Sequence, residues 1–257
     1  MYMKLGFTHS ALSLYEKLQH DYKVVTCLVN LGRKQEAQQK LTAQLKHIEQ
    51  GKDEHSANNS NKKAYYLCLL GDVTEDISYY ERAWTESNQT YARAMRTLSY
   101  IYYHRQEYEK CMQCARKALA INALFPKVWF LLGSAAMEVK PVDYDVVIEA
   151  FSFMVSVDAS NFEAWNNLGA AHMHQENYSS ALYALQEAGN LRRESWRIWE
   201  NILTCCMKLR MLSKSISTLT HLLEIKRNTV SLTPTVIAAL AIELTHKIEK
   251  YACDENK

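Results

Sequence analysis

Among the residues of this 257-residue chain whose spacing could suit metal or thiol chemistry are its seven cysteines and nine histidines. Cys111-Met112-Gln113-Cys114 has the spacing that grips a metal or cycles as a dithiol. A tetrahedral zinc site needs about four ligands, and a redox dithiol usually opens a helix after a strand. The pair is alone, and Cys111 falls at a small-residue packing position, so its expected role is packing. Cys205-Cys206 and His172-x-His174 are adjacent or alternate residues, whose side chains diverge on a helix. No Gly-rich phosphate loop, nucleophile elbow or paired-His metal helix occurs. No catalytic, cofactor or metal site is therefore expected, and a hydrolase on a helical scaffold is the least supported alternative.

What remains is recognition, and composition narrows its kind. Lys+Arg 30 against Asp+Glu 28 leaves a formal charge of +2, too small a field to draw in nucleic acid or an acidic membrane. An odd number of cysteines set in apolar helical patterns points to a reducing compartment. No charged and apolar leader opens the chain, and no window approaches ~18 apolar residues. The expectation is a cytoplasmic protein, or one also found in the nucleus, with no membrane and no nucleic-acid partner.

The elements are set by a long period. Trp129, Trp165 and Trp199 lie 36 and 34 residues apart (165 − 129 and 199 − 165), and each opens a similar stretch. The middle copy reads Phe162-Glu163-Ala164-Trp165-Asn166-Asn167-Leu168-Gly169, then Tyr178, Ala181, Leu185 and Ala188. A further copy starts near Met95, with Leu98, Tyr102, Tyr108, Cys111, Ala115 and Ala118 at matching offsets. A period this long predicts stacked helical hairpins, each burying its apolar face against a neighbour. Seven Gly and three Pro agree with an all-α chain. Trp165→Ala is expected to cost roughly 3–5 kcal/mol, as for other large buried aromatics.

The pattern follows the tetratricopeptide signature, an α-solenoid of helix-turn-helix repeats. Full copies are expected at 92–125, 126–161, 162–195 and 196–229, with Ser99 and Leu203 where glycine belongs. The two extra residues of the 126–161 copy belong in the Val139–Asp143 turn around Pro141, which a helix interior would not tolerate. Residues 64–91 form a shortened copy, with its shortening at the turn Asp72-Val73-Thr74-Glu75-Asp76. Residues 1–50 are irregular helical hairpins, three short helices with Gly32 as a stop. Residues 51–63 are a polar loop, mobile through 61, and 230–257 a C-terminal helix and tail opened by Thr233-Pro234.

Leu69-Leu70-Gly71-Asp72-Val73-Thr74, Tyr80-Glu81-Arg82-Ala83-Trp84 and Trp196-Arg197-Ile198-Trp199-Glu200-Asn201 resemble the C-terminal repeats of the tetratricopeptide repeat protein 27 family. That resemblance covers most of residues 7–226. It implies a fragment of a longer, non-enzymatic protein associated with chaperone-assisted assembly of larger complexes, and with cell-wall maintenance in fungal relatives.

By register, one face of each first helix lines the groove of such a stack. The groove residues are Arg93, Arg96, Tyr100, Tyr103, Lys127, Phe130, Asn166, Met173, Arg197 and Glu200. Mixed charge with exposed aromatics and Met suits a protein segment, a client or assembly factor. Repeats that hold chaperone C-termini converge Lys, Asn and Arg on a carboxylate. Here Arg96 and Tyr100 are followed by Leu131, Glu163 and Asn167, so that clamp is missing. The competing expectation is a spacer that supports an N-terminal region.

Overall fold

The computed structural model describes residues 8–50 and 57–225, in which there are thirteen α-helices and no strand. The chain divides into two compact units, 1–131 and 132–257. The helix expected after Thr233-Pro234 lies outside the described residues.

Unit 1 holds α1 (Thr8–Lys17), α2 (Asp21–Asn30), α3 (Lys34–Glu49), α4 (Ala57–Thr74), α5 (Ile77–Glu86), α6 (Ala92–His104), α7 (Tyr108–Ile121) and the start of α8 (Pro126–Glu138). From α1 to α7 each helix packs on the next, and α4 also touches α2 and α6. That places α2, α4 and α6 in one layer as the first helices of three pairs. Gly32, at φ +76°, ends α2 in the left-handed conformation that glycine adopts without steric cost, as expected.

Two boundaries differ from expectation. The polar stretch 51–63 is not loop throughout, because α4 begins at Ala57. Asn, Ser and Lys are tolerated in its first turns since helix propensity is a weak prior beside packing. Ala64, Leu67 and Cys68 are fully enclosed. Lys63 reaches Glu86 at 2.7 Å and Glu49 at 3.3 Å, tying the polar end of α4 to α3 and α5. The short copy is also shortened elsewhere than expected: Asp72, Val73 and Thr74 stay helical, and only Glu75-Asp76 separate α4 from α5. The lost length lies mainly in α5, which has 10 residues where α7 has 14.

Unit 2 holds the rest of α8, then α9 (Tyr144–Val157), α10 (Phe162–His174), α11 (Tyr178–Leu191), α12 (Trp196–Lys208) and α13 (Leu212–Ile225). Gln175-Glu176-Asn177 and Leu209-Arg210-Met211 are the turns inside the last two pairs, with φ +59° at Glu176 and +54° at Arg210. The stretch 139–143 is longer by the two residues expected around Pro141.

Close packing explains the signature residues. A Cβ added at Gly169 would lie 2.5 Å from Leu185 Cγ, and one at Gly133 would lie 2.9 Å from the Phe151 ring. The large residue of the second helix fills the notch of the first. Ser99 and Leu203, at the corresponding positions, are fully buried. In register Ser99 stands opposite the small Ala115, whereas Leu203 packs with Leu222 and Leu219, a leucine kept in the facing position although the notch is lost.

The tryptophans do more than pack. Trp129, Trp165 and Trp199 each donate an indole N–H to a carbonyl six residues earlier, Ala123, Ala159 and Arg193, at 2.8, 3.0 and 2.8 Å. Each ring therefore closes the turn that leads into its own helix. Trp129 is buried, whereas Trp165 is only partly buried against the α11–α12 core. The cost expected for Trp165→Ala is accordingly lower than for an enclosed aromatic.

Candidate functional site

Residues 93, 96, 100 and 103 recur at helical spacing and share one face of α6. The structure divides them by function. Arg96 and Tyr100 join Thr97, Phe125, Lys127 and Leu131 around a cleft of about 670 Å³ between α6 and the start of α8. The Arg96 guanidinium lies 4.5 Å from the Phe125 ring centre, close enough for cation–π attraction. Tyr100 is 56% exposed and sits edge-on to His104 at 4.3 Å. Among the described residues neither Arg96 nor Lys127 is held in an ion pair. The cleft thus combines an apolar floor with two cations and a phenol.

Arg93 is not the exposed groove residue expected from register. Its guanidinium meets Asp72 of α4 at 2.6 Å and lies over Tyr22 and Tyr65, at 5.4 and 5.9 Å. Tyr80 donates to the same carboxylate at 2.7 Å; burial, then that carboxylate, pushes its hydroxyl pKa up. Register gives the side a residue faces, whereas Asp72 and Tyr65 arrive from another helix. Tyr103 is half-buried and edge-on to Tyr108 at 5.8 Å. Phe130 is half-buried on α8, outside the cleft lining.

In unit 2, Asn166 and Met173 lie on α10, Arg197 and Glu200 on α12, and these helices touch. Asn166 and Glu200 are half-buried. Arg197 is exposed, 5.4 Å from the Trp196 ring centre. Met173 departs from expectation: it packs against the core formed by Ala181, Leu185 and Ile202 rather than standing free on the surface.

Two features escape the register. Phe125 reads as linker, yet it forms the cleft floor; its only signal is an aromatic set directly before the helix-opening Pro126. His172 reads as half of a weak metal pair, yet it lines a cleft of about 440 Å³ with Trp165, Ser179, Ser180 and Tyr183. Its Nδ1 is buried without a partner, and burial lowers its pKa.

The six thiols among the described residues are enclosed. Burial pushes Cys111 up to about 12, as it does Cys68 and Cys205, so at neutral pH they are protonated and poor nucleophiles. Among the described residues no His, Cys, Asp and Glu group could hold a metal ion. No helix among them is long and apolar enough to cross a membrane.

No protein-family model matches the chain. It is 31% identical over 227 residues to TPR repeat-containing protein C19B12.01 of Schizosaccharomyces pombe, covering 88% of this chain and 26% of that protein. It is 30% identical over 254 residues to the tetratricopeptide repeat protein 27 homolog of Dictyostelium discoideum, covering 99% of this chain and 27% of that protein. The chain spans about a quarter of the length of these relatives. Its fold is similar to that of YrrB, a TPR protein with an unusual peptide-binding site, at a TM-score of 0.56 and 15% identity, over 72% of this chain and 92% of that one.

Proposed function

Because this chain is a tetratricopeptide-repeat α-solenoid related to several tetratricopeptide-repeat proteins, we propose that it is a non-enzymatic scaffold that engages a client or assembly factor through the first-helix faces of its pairs. The observation that carries this reading is the α6–α8 cleft, where Arg96 and Lys127 stand over apolar side chains with no carboxylate of the described chain to neutralise them. Such a surface supplies area and charge for a partner and lacks the groups for bond chemistry. Membership of the tetratricopeptide repeat protein 27 family is supported by alignment across nearly the whole chain to the Dictyostelium discoideum homolog. Chaperone-assisted assembly is what that resemblance implies, and a place in the cytoplasm or nucleus is what the unpaired cysteine pattern suggests.

A spacer is the second reading. It is favoured by Arg93 and Met173, both committed to internal packing. Co-purification from cells with quantitative mass spectrometry separates the two. Arg96→Glu in unit 1 and Asn166→Arg with Arg197→Glu in unit 2 should deplete specific partners while leaving helicity unchanged. An identical partner set across all variants would leave only the spacer.

A further inference from the structure

The α6–α8 cleft carries enough chemistry to name the class of segment it fits, an inference that rests on the scaffold reading above. Phe125, Val128 and Leu131 supply an apolar floor, and Pro126 adds a rigid edge. Burying one Leu- or Phe-sized side chain there removes apolar surface from water. The lining side chains that carry full charge, Arg96 and Lys127, are both cationic. A second cluster of charge lies on α6, but it is internally neutralised: Arg93 is closed onto Asp72. The positive charge open to a ligand is therefore that of Arg96 and Lys127.

Arg96 is also positioned for one kind of anion. A guanidinium that stacks a face on an aromatic ring keeps its planar N–H edge available, and that edge matches the two oxygens of a carboxylate. The Arg96 guanidinium lies over the Phe125 ring, 4.5 Å from its centre. Lys127 adds an exposed ammonium from α8, and the exposed Tyr100 adds a hydroxyl. Polyanionic nucleic acid is a poor match, because the chain's formal charge is only +2 and the cleft presents apolar area.

We propose that the α6–α8 cleft binds a partner segment in which a leucine- or phenylalanine-sized anchor stands within a residue or two of aspartate or glutamate. The anchor enters between Phe125 and Leu131, while the carboxylate bridges Arg96 and Lys127.

The test uses the full chain and fluorescence anisotropy with a short fluorescein-labelled peptide that sets leucines among aspartates. Its controls carry asparagine for aspartate, or glycine for leucine. The acidic leucine peptide should bind tightest, lose affinity as salt rises, and bind about tenfold more weakly to Arg96→Gln, a loss of about 1.4 kcal/mol. Lys127→Gln, at an exposed position, should weaken it several-fold with the circular dichroism spectrum unchanged, which guards against loss of folding in the first variant. Equal binding of the asparagine or glycine peptide overturns the inference. So does unaltered binding by both variants, or competition by a single-stranded oligonucleotide as strong as by unlabelled peptide. If the peptide test fails while the unit 2 substitutions still deplete co-purifying proteins, the acidic segment is wrong and the scaffold stands. If both fail, the scaffold falls with it.

Discussion

The α10–α11 pair and the turn that leads into it are closed by a leucine and a tryptophan, the α4–α5 pair by a tyrosine, an aspartate and an arginine. In the first, Trp165 reaches back to the Ala159 carbonyl while Leu185 fills the notch over Gly169. In the second, Tyr80 lies over Gly71, where an added Cβ would come within 2.7 Å of its ring, and donates to Asp72, which also takes Arg93. The regular lock is apolar with one neutral hydrogen bond and is local in sequence. The short one is ionic and joins α4, α5 and α6. A ten-residue helix offers less apolar face than a fourteen-residue one, and the polar network compensates. The arrangement has a functional consequence: the first arginine of α6 is used in the lock, and the next, one turn on, is left to the cleft.

The largest effect should come from emptying the notch. Phe151→Ala in the regular α8–α9 pair should cost about 3–5 kcal/mol, since the ring is fully enclosed. Tyr80→Ala should fall in the same range, because it removes an equally enclosed ring and also strips a partner from Asp72. Urea unfolding checks both. A Tyr80→Ala loss near ~1 kcal/mol would mean that the short pair is held by something other than this lock.

Trp165 comes next. As a half-buried ring it should lose about 2–3 kcal/mol on Trp165→Ala, below the range for enclosed aromatics. Trp165→Phe, which keeps most of the contact and deletes the bond to Ala159, should lose about 1 kcal/mol at any ionic strength. Unfolding midpoints at low and high salt test that independence. A phenylalanine variant as stable as the parent would reduce the clasp to packing alone.

The tryptophan spacing made the regular pairs legible because it records a local solution: ring, turn carbonyl and notch lie within one repeat. The Gly32 stop and the Pro141 turn were legible for the same reason, since each depends on the φ preference of a single residue. Arg93 was not, because its fate depends on Asp72 in a neighbouring helix. The start of α4 was hidden by polar residues whose helicity is imposed by partners in α3 and α5. For the cleft, register placed Arg96, Tyr100 and Lys127 on one face and left Phe125 in a linker, since no periodicity marks a residue between helices.

The ionic half of the comparison is open to a direct test. Asp72 and Arg93 keep about a third and a fifth of their side-chain surface exposed, so solvent screens the pair. Asp72→Asn should therefore cost only about 1 kcal/mol. The informative quantity is its salt dependence: the parent should lose part of this increment as salt rises, and Asp72→Asn should not. Equal salt slopes would make the contact a neutral hydrogen-bond network.

The smallest effect separates the pairs by acid instead of salt. Burial lowers the His172 pKa in the folded chain, so the folded state resists a proton that the unfolded chain accepts near pH ~6.5. Above that pH the residue is neutral in both states and contributes no slope. As pH falls through it, the unfolded chain alone gains the proton and stability declines. The decline levels off once pH lies below the folded value. His172→Gln should flatten the part of the curve that begins just below about pH 7, read as urea midpoints. The α4 and α5 sequences contain no histidine, so Asp72→Asn should leave the same slope intact. A parent curve already flat there would show that His172 takes no part in closing its pair, and one that Asp72→Asn flattens as well would show that acid and salt act on a shared lock and that the two pairs are not closed by different means.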